Sequence, residues 1–220
     1  MIRVLLVDDD ALVRSGLRMM LAGAPGIEVV AEAGDGREVL GAVDRHHPDV
    51  VLMDIRMQHV DGIAATRLVR AQPSPPAVIV LTTFDADELV LRALRAGAAG
   101  FLLKDTAPAE IVRAIELVHA GEGMLSPAVT GHLIALVAGG DDDGSEKARE
   151  LLATLSARER EVATAVGRGA SNAEIAAELH MSVATVKAHV SRLLAKLSLD
   201  NRVQIALLVQ GARSPRGGSA

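Results

Sequence analysis

Along the first 120 residues, short apolar runs alternate with amphipathic stretches. The strand-like runs cover residues 3–7, 28–31, 50–53, 78–81 and 100–103. Runs 50–53 and 78–81 are wholly aliphatic, the pattern of a parallel strand covered on both faces. Helical periodicity fills the intervals. Leu12, Val13, Gly16, Leu17, Met20 and Leu21 form one stripe, and Ile111, Val112, Ile115 and Val118 another. Turn residues punctuate the joins at Ala24-Pro25-Gly26, His47-Pro48-Asp49 and Pro73-Ser74-Pro75-Pro76. Five such repeats predict an α/β fold, a doubly wound parallel sheet of five strands with helices on both faces. No fixed-period repeat marks a solenoid.

Beyond Gly121 the rhythm changes. Residues 127–137 predict one short helix, and Gly, Asp and Ser at 139–145 read as a flexible acidic linker. Residues 148–212 are helical throughout, in stretches near 157–166, 172–179, 183–197 and 202–210. The expected organisation is an α/β domain over 1–120, a linker over 121–148, an all-α domain over 149–213 and a frayed tail over 214–220.

Charge divides the same way. Residues 1–145 hold 12 Lys+Arg against 21 Asp+Glu, net −9, whereas residues 146–220 hold 11 against 7, net +4. The basic part is the candidate for contact with a polyanion. With no Cys, disulfides, thiolate catalysis and Cys-ligated zinc are excluded. With two Phe and no Tyr or Trp, single strands have few rings on which to stack. No apolar run approaches the ~18 residues of a membrane span, and acid at Asp8 stands where a signal peptide needs its cleavage site. A cytoplasmic protein without membrane contact is expected.

Ligands of open parallel sheets gather at the carboxyl ends of the strands. Asp8 and Asp9 follow the first strand, Asp54 ends the third, Thr82 and Thr83 end the fourth, and Lys104 follows the fifth. Strand order 2-1-3-4-5 would bring them into one pocket. Two carboxylates ~5 Å apart repel by roughly 3 kcal/mol at an effective dielectric of ~20. Either one takes a proton or a cation sits among them. Hard oxygen donors suit Mg2+, or Mn2+, and not zinc. One carboxylate could then act as nucleophile towards a phosphoryl group, with Lys104 neutralising charge and Thr82 donating a hydrogen bond. Individually such acids also serve as helix caps, Asp10 and Asp61 being candidates.

LLVDDD, MDIRM followed by DG, LTTFD and AGAAGFLLKD resemble the receiver domain of bacterial two-component response regulators over residues 1–120. The resemblance implies a flavodoxin-like fold in which Asp54 is the phosphoacceptor. It implies Asp8, Asp9, Asp54 and the Arg56 backbone carbonyl as Mg2+ ligands, Thr82 and Phe101 as switch residues, and Lys104 as the phosphate-binding lysine. Similar proteins have Met-Pro-Gly after the phosphoacceptor strand, where this chain has Met57-Gln58-His59. Loss of the proline should loosen that loop and alter phosphate lifetime, and His59 reads as a solvated loop residue.

In the basic part, Ser156 and Glu159 make a capping box. Residues 172–179 then read as helix, 180–182 as tight turn, and Ser182 as the cap of the next helix. On that helix Val183, Val186, Val190, Leu193 and Leu197 form a core stripe. Ala184, Ala188, Ser191 and Ala195 lie opposite, flanked by Lys187 on one side and by His189, Arg192 and Lys196 on the other. Small residues between cations suit a DNA major groove, although an Ala-rich solvated helix would look similar.

LSAREREV and SNAEIAAELHMSVATVKAHVSRLLAKL resemble the helix-turn-helix domain of LuxR-type regulators over 150–212. This implies base-reading positions at Lys187, Ala188 and Ser191 and phosphate contacts from His189 and Arg192. Lys196, on the same flank of the helix, is a further DNA-binding candidate that would reach phosphate or a guanine edge. It also implies a dimer contact from Arg202, Val203, Ile205 and Ala206. A receiver followed by this domain resembles the NarL/FixJ class, with a sensor histidine kinase, double-stranded DNA, a second copy of the chain and RNA polymerase as implied partners. Two other readings stay open here: a metal-dependent phosphohydrolase using Asp54, and a DNA-binding protein indifferent to phosphorylation.

Overall fold

A computed structural model describes residues 1–83, 87–125 and 142–213. The helix expected over 127–137, the first residues of the segment 139–145, Phe84 and Asp85 of the LTTFD motif, and the tail from 214 lie outside them. The chain divides into two units, Met1–Val129 and Thr130–Ala220.

In the first unit β1 (Ile2–Val7), α1 (Ala11–Ala22), β2 (Ile27–Ala33), α2 (Gly36–His46), β3 (Val50–Asp54), α3 (Gly62–Arg70), β4 (Ala77–Thr82), α4 (Asp87–Arg95), β5 (Gly100–Leu103) and α5 (Pro108–His119) alternate. All strands run parallel, and β2-β1-β3-β4-β5 is the expected order. A two-residue strand the sequence reading lacked, β6 (Met124–Leu125), extends the sheet beyond β5. Two residues are too few to carry a periodicity.

Both faces of the sheet are covered. Val4, Leu6, Val50, Leu52, Ile79, Leu81 and Leu102 pack with Leu17 and Leu21 of α1 and Ile111, Ala114, Ile115 and Val118 of α5. Alternate residues, including Leu5, Met53, Val80 and Phe101, point to the other face and are also buried. The α1 stripe is narrower than its periodicity implies. Leu12 is 82% exposed and Met20 44%, because the edge that faces the core runs through Val13, Leu17 and Leu21.

Helix starts follow local chemistry. Asp10 accepts from the Leu12 amide at 2.8 Å and Asp61 from the Ala64 amide at 2.7 Å, so both acids are N-caps. At the start of α3 the glycine is a steric requirement. A Cβ on Gly62 would lie 1.9 Å from the Asp54 carbonyl oxygen.

The second unit holds α6 (Asp142–Ala153), α7 (Ala157–Gly167), α8 (Asn172–Glu178), α9 (Val183–Leu197) and α10 (Arg202–Arg213). Helix α6 begins inside the segment read as linker and packs along α10, with Ala148 buried and the Arg149 Nε donating to the Ala212 carbonyl at 3.1 Å. Val162, Val166, Ile175, Val186, Val190, Leu193, Leu197, Ile205 and Val209 make the core. Val183, placed in that stripe by periodicity, is 44% exposed at the first turn of α9. Ser156 and Ser171 each close a capping box, with Glu159 and Glu174 respectively, and Ser182 caps α9.

Gly62→Ala is expected to destabilise the first unit by about 1–3 kcal/mol, because the new methyl meets immovable backbone. Gly16→Ala on α1 meets nothing within 4 Å and is expected to stabilise by about 0.5–1 kcal/mol. Urea denaturation followed by far-UV circular dichroism measures both.

Candidate functional site

Strand register builds the acidic site. Val7 pairs with Met53, so Asp8 and Asp54 emerge side by side from neighbouring strands. Asp54 pairs with Leu81, which brings Thr82 to the same edge, and the Lys104 amide donates to the Thr82 carbonyl at 2.7 Å. Asp8, Asp54 and Thr82 are all buried. The Lys104 ammonium bridges the two strands, 2.6 Å from Asp8 Oδ2 and 3.2 Å from Asp54 Oδ1. Asp9 is exposed at the rim, and one carboxylate oxygen from each of Asp8, Asp9 and Asp54 lies within 4.8 Å of the others.

Electrostatics follow from this crowding. Burial pushes the Asp54 carboxyl above its ordinary range; Lys104 opposes the shift and the neighbouring Asp8 reinforces it. For Lys104, burial disfavours the ammonium, but the Asp8 hydrogen bond and the two carboxylates outweigh it and the group is held above its usual range. An all-carboxylate donor set without nitrogen or sulfur fits Mg2+. Arg56 lies two residues past Asp54 on the following loop, its side chain exposed. Phe101 is fully buried in β5, beside β4.

The second unit offers a different surface. On α9, Ala184, Lys187, Ala188, Ser191, Arg192 and Ala195 are exposed. They form a ridge of small side chains between two cations, opposite the buried Val186, Val190, Leu193 and Leu197.

A family model of the response regulator receiver domain matches residues 4–116, and one of bacterial regulatory proteins of the luxR family matches residues 153–209. The chain belongs to the LuxR-type response regulators. The uncharacterized transcriptional regulatory protein YhcZ of Bacillus subtilis (strain 168) is 42% identical over 205 residues, 93% of this chain and 94% of that protein. The transcriptional regulatory protein LiaR of the same organism is 38% identical over 207 residues, 94% of this chain and 96% of that protein. Among solved structures, the response regulator ChrA of a heme-sensing two-component system is 37% identical with a TM-score of 0.53, covering 96% of this chain and 98% of that one. The regulator is thus a DNA-binding transcription factor of the two-component type. Among its described residues no helix is long and apolar enough to cross a membrane.

Several residues of the regulator do something other than the sequence implied. Arg202, Val203 and Ile205, expected at a dimer contact, are buried inside the helical unit. The Arg202 guanidinium donates to Asn172 Oδ1 at 2.6 Å and to the Ala170 carbonyl, fastening α10 to the start of α8. Of that group only Ala206 is partly open to solvent. Lys196, a candidate for DNA contact, lies 2.8 Å from Glu159 of α7. His189 is half-buried with its Nδ1 turned inward. Lys187 and Arg192 are exposed, and Lys196 is exposed too although it is paired with Glu159.

The Lys196 ammonium, with the Ser156 amide and hydroxyl, holds the Glu159 carboxyl down from 4.5 to about 2. A carboxyl depressed in the folded state contributes stability that is complete above its unfolded value and fades as pH falls towards the folded one. The helical unit should therefore lose stability between pH 4.5 and about 2. Glu159→Gln should be less stable than wild type at neutral pH and flatter across that window, as read by thermal melts at stepped pH.

Proposed function

We propose that a sensor histidine kinase phosphorylates Asp54 and that the phosphorylated regulator binds paired DNA sites as a homodimer. The observation that carries this reading is the convergence of Asp8, Asp9 and Asp54 within 4.8 Å, with Lys104 bridging Asp8 and Asp54.

Asp8, Asp9, Asp54 and the Arg56 carbonyl would hold Mg2+, or Mn2+, which when bound neutralises the carboxylates and supplies charge for phosphoryl oxygens. A carboxylate oxygen of Asp54 attacks the phosphorus of the kinase phosphohistidine. The P–O bond forms, the P–N bond breaks, and the imidazole, which carries a proton on its other ring nitrogen, leaves with the electron pair as a neutral ring. Lys104 turns from Asp54 to the new phosphoryl oxygens, keeping its contact with Asp8. The Thr82 hydroxyl donates to a phosphoryl oxygen, and Phe101 turns into the space Thr82 leaves beside β4. The acyl phosphate adds charge and acceptor oxygens that favour this second arrangement. Moving the population from 1:99 to 99:1 needs about 5.5 kcal/mol of preference.

In the active form α9 enters the major groove, where Lys187, Ala188 and Ser191 face base edges and Arg192 faces phosphate. The methyls of Ala184 and Ala188 suit thymine methyl groups. Partly exposed residues of α10, Ala206 among them, supply the dimer contact, and half-sites lie about one helical turn apart. The regulator works in the cytoplasm, where it meets RNA polymerase.

With Mg2+ and acetyl phosphate, the regulator is expected to take up phosphate to one equivalent and stop, and Asp54→Asn to take up none. Phos-tag electrophoresis reads the stoichiometry; turnover of many equivalents would instead identify a phosphohydrolase. The phosphodonor should tighten binding to selected DNA at least tenfold in wild type and not in Asp54→Asn. Unchanged affinity in wild type would leave a DNA-binding protein indifferent to phosphorylation. Arg192→Ala should weaken binding evenly across sequences and lower the slope of log K against log salt by about 1.

A further inference from the structure

The loop that follows Asp54 leaves β3 at Ile55 and enters α3 at Gly62, and no proline fixes its backbone. Its far end is closed by the Gly62 amide, which donates to the Ile55 carbonyl at 2.9 Å. Its middle is fastened to the first turn of α2. The His59 amide donates to Asp35 Oδ2 at 3.1 Å, and the His59 ring Nδ1 lies 3.0 Å from the same oxygen. The next residue, Val60, presses on Gly36 so closely that a Cβ there would meet the Val60 carbonyl at 2.4 Å. Asp35 does two tasks at once. Its Oδ1 caps α2 by accepting from the Arg37 amide at 3.0 Å, and its Oδ2 takes both bonds from His59.

The chemistry of the pair fixes the direction of the bond. Asp35 is buried, yet the Arg37 amide, followed by the His59 ring and amide and the Arg37 side chain, holds its carboxyl well below the usual range despite that burial. An ionised carboxylate only accepts, so Nδ1 of His59 carries the proton and donates. The ring itself is 54% exposed. Nothing in packing demands an imidazole here; the hydrogen bond does.

We infer that His59 is a positioning residue of the phosphorylation site: by clamping the loop to Asp35 it holds the backbone at Arg56 and Met57 against Asp54, and so sets Mg2+ affinity and the lifetime of the aspartyl phosphate. This rests on Asp54 being the phosphoacceptor. A loose loop admits water to the acyl phosphate and misplaces the Arg56 carbonyl; a clamped one does neither. The clamp takes the place of the ring constraint that a proline would impose on such a loop.

The test uses the full chain and four proteins besides wild type. His59→Ala removes the ring bond. His59→Asn keeps a donor close to where Nδ1 lies. Asp35→Asn retains an N-cap of equal quality but turns an amide towards His59. The fourth combines Asp35→Asn with His59→Ala. After acetyl phosphate is removed, the phosphate on His59→Ala and on Asp35→Asn should decay three- to tenfold faster than on wild type. His59→Asn should restore most of the lifetime, and the double variant should decay no faster than the singles. Mg2+ titration of the unphosphorylated proteins by amide NMR shifts should give dissociation constants raised in the same order.

Equal lifetimes and equal Mg2+ constants in wild type and His59→Ala would overturn the inference. So would additive effects in the double variant, or no rescue by His59→Asn. If wild type takes no phosphate but its Mg2+ constants follow the expected order, the phosphoacceptor reading fails while the clamp on the metal loop stands. If wild type is phosphorylated and the variants match it throughout, the clamp fails alone.

Discussion

Val7 lies in register with Met53, and from that single pairing two buried carboxylates are forced to share one edge of the sheet. Their repulsion in a medium that screens poorly is the constraint around which the first unit is organised. Lys104 answers it by reaching from the residue after β5 to both acids. Breaking a buried pair leaves an uncompensated charge, which costs more than the pair itself contributes. The same arrangement that makes the resting fold expensive makes it responsive. Any group that redistributes charge at this edge alters Lys104, which directly follows β5, the short strand that carries Phe101.

The helical unit meets its requirements differently. Its helices are short, and three of their starts are secured by side chains: Ser156 with Glu159, Ser171 with Glu174, and Ser182 on the amide of Thr185. Long-range ties then fix helix on helix. Glu159 holds Lys196 and so joins the start of α7 to the end of α9, while Arg202 holds Asn172 and joins α10 to α8. Gly167 lets α10 approach α7 until a Cβ would meet Val209 at 2.5 Å. These ties leave one face of α9 bare.

The strands and the polar residues at their carboxyl ends were legible because they depend on local signals. A strand buried on both faces reads as unbroken aliphatic sequence, and polar residues at its carboxyl end stand out, as at Asp54 and Thr82. What the sequence hid is non-local. Arg202 and Lys196 are charged and read as surface, yet their partners lie 30 and 37 residues away. Leu12 and Met20 satisfy a helical period, but periodicity does not say how wide a face the sheet will accept. His59 read as a solvated loop residue and its ring is 54% exposed, but its bond to Asp35, 24 residues earlier, leaves no local signal. Strand β6, with two residues, has too little pattern to detect.

Helix α6 has a practical consequence. Since it lies along α10 and buries Ala148, the packed helical unit extends ahead of residue 153, where the family match begins. A fragment trimmed to the family boundary would uncover greasy surface on its terminal helix. Such a fragment would clump in solution for reasons unconnected with operator recognition, and its self-association would be mistaken for a signalling state.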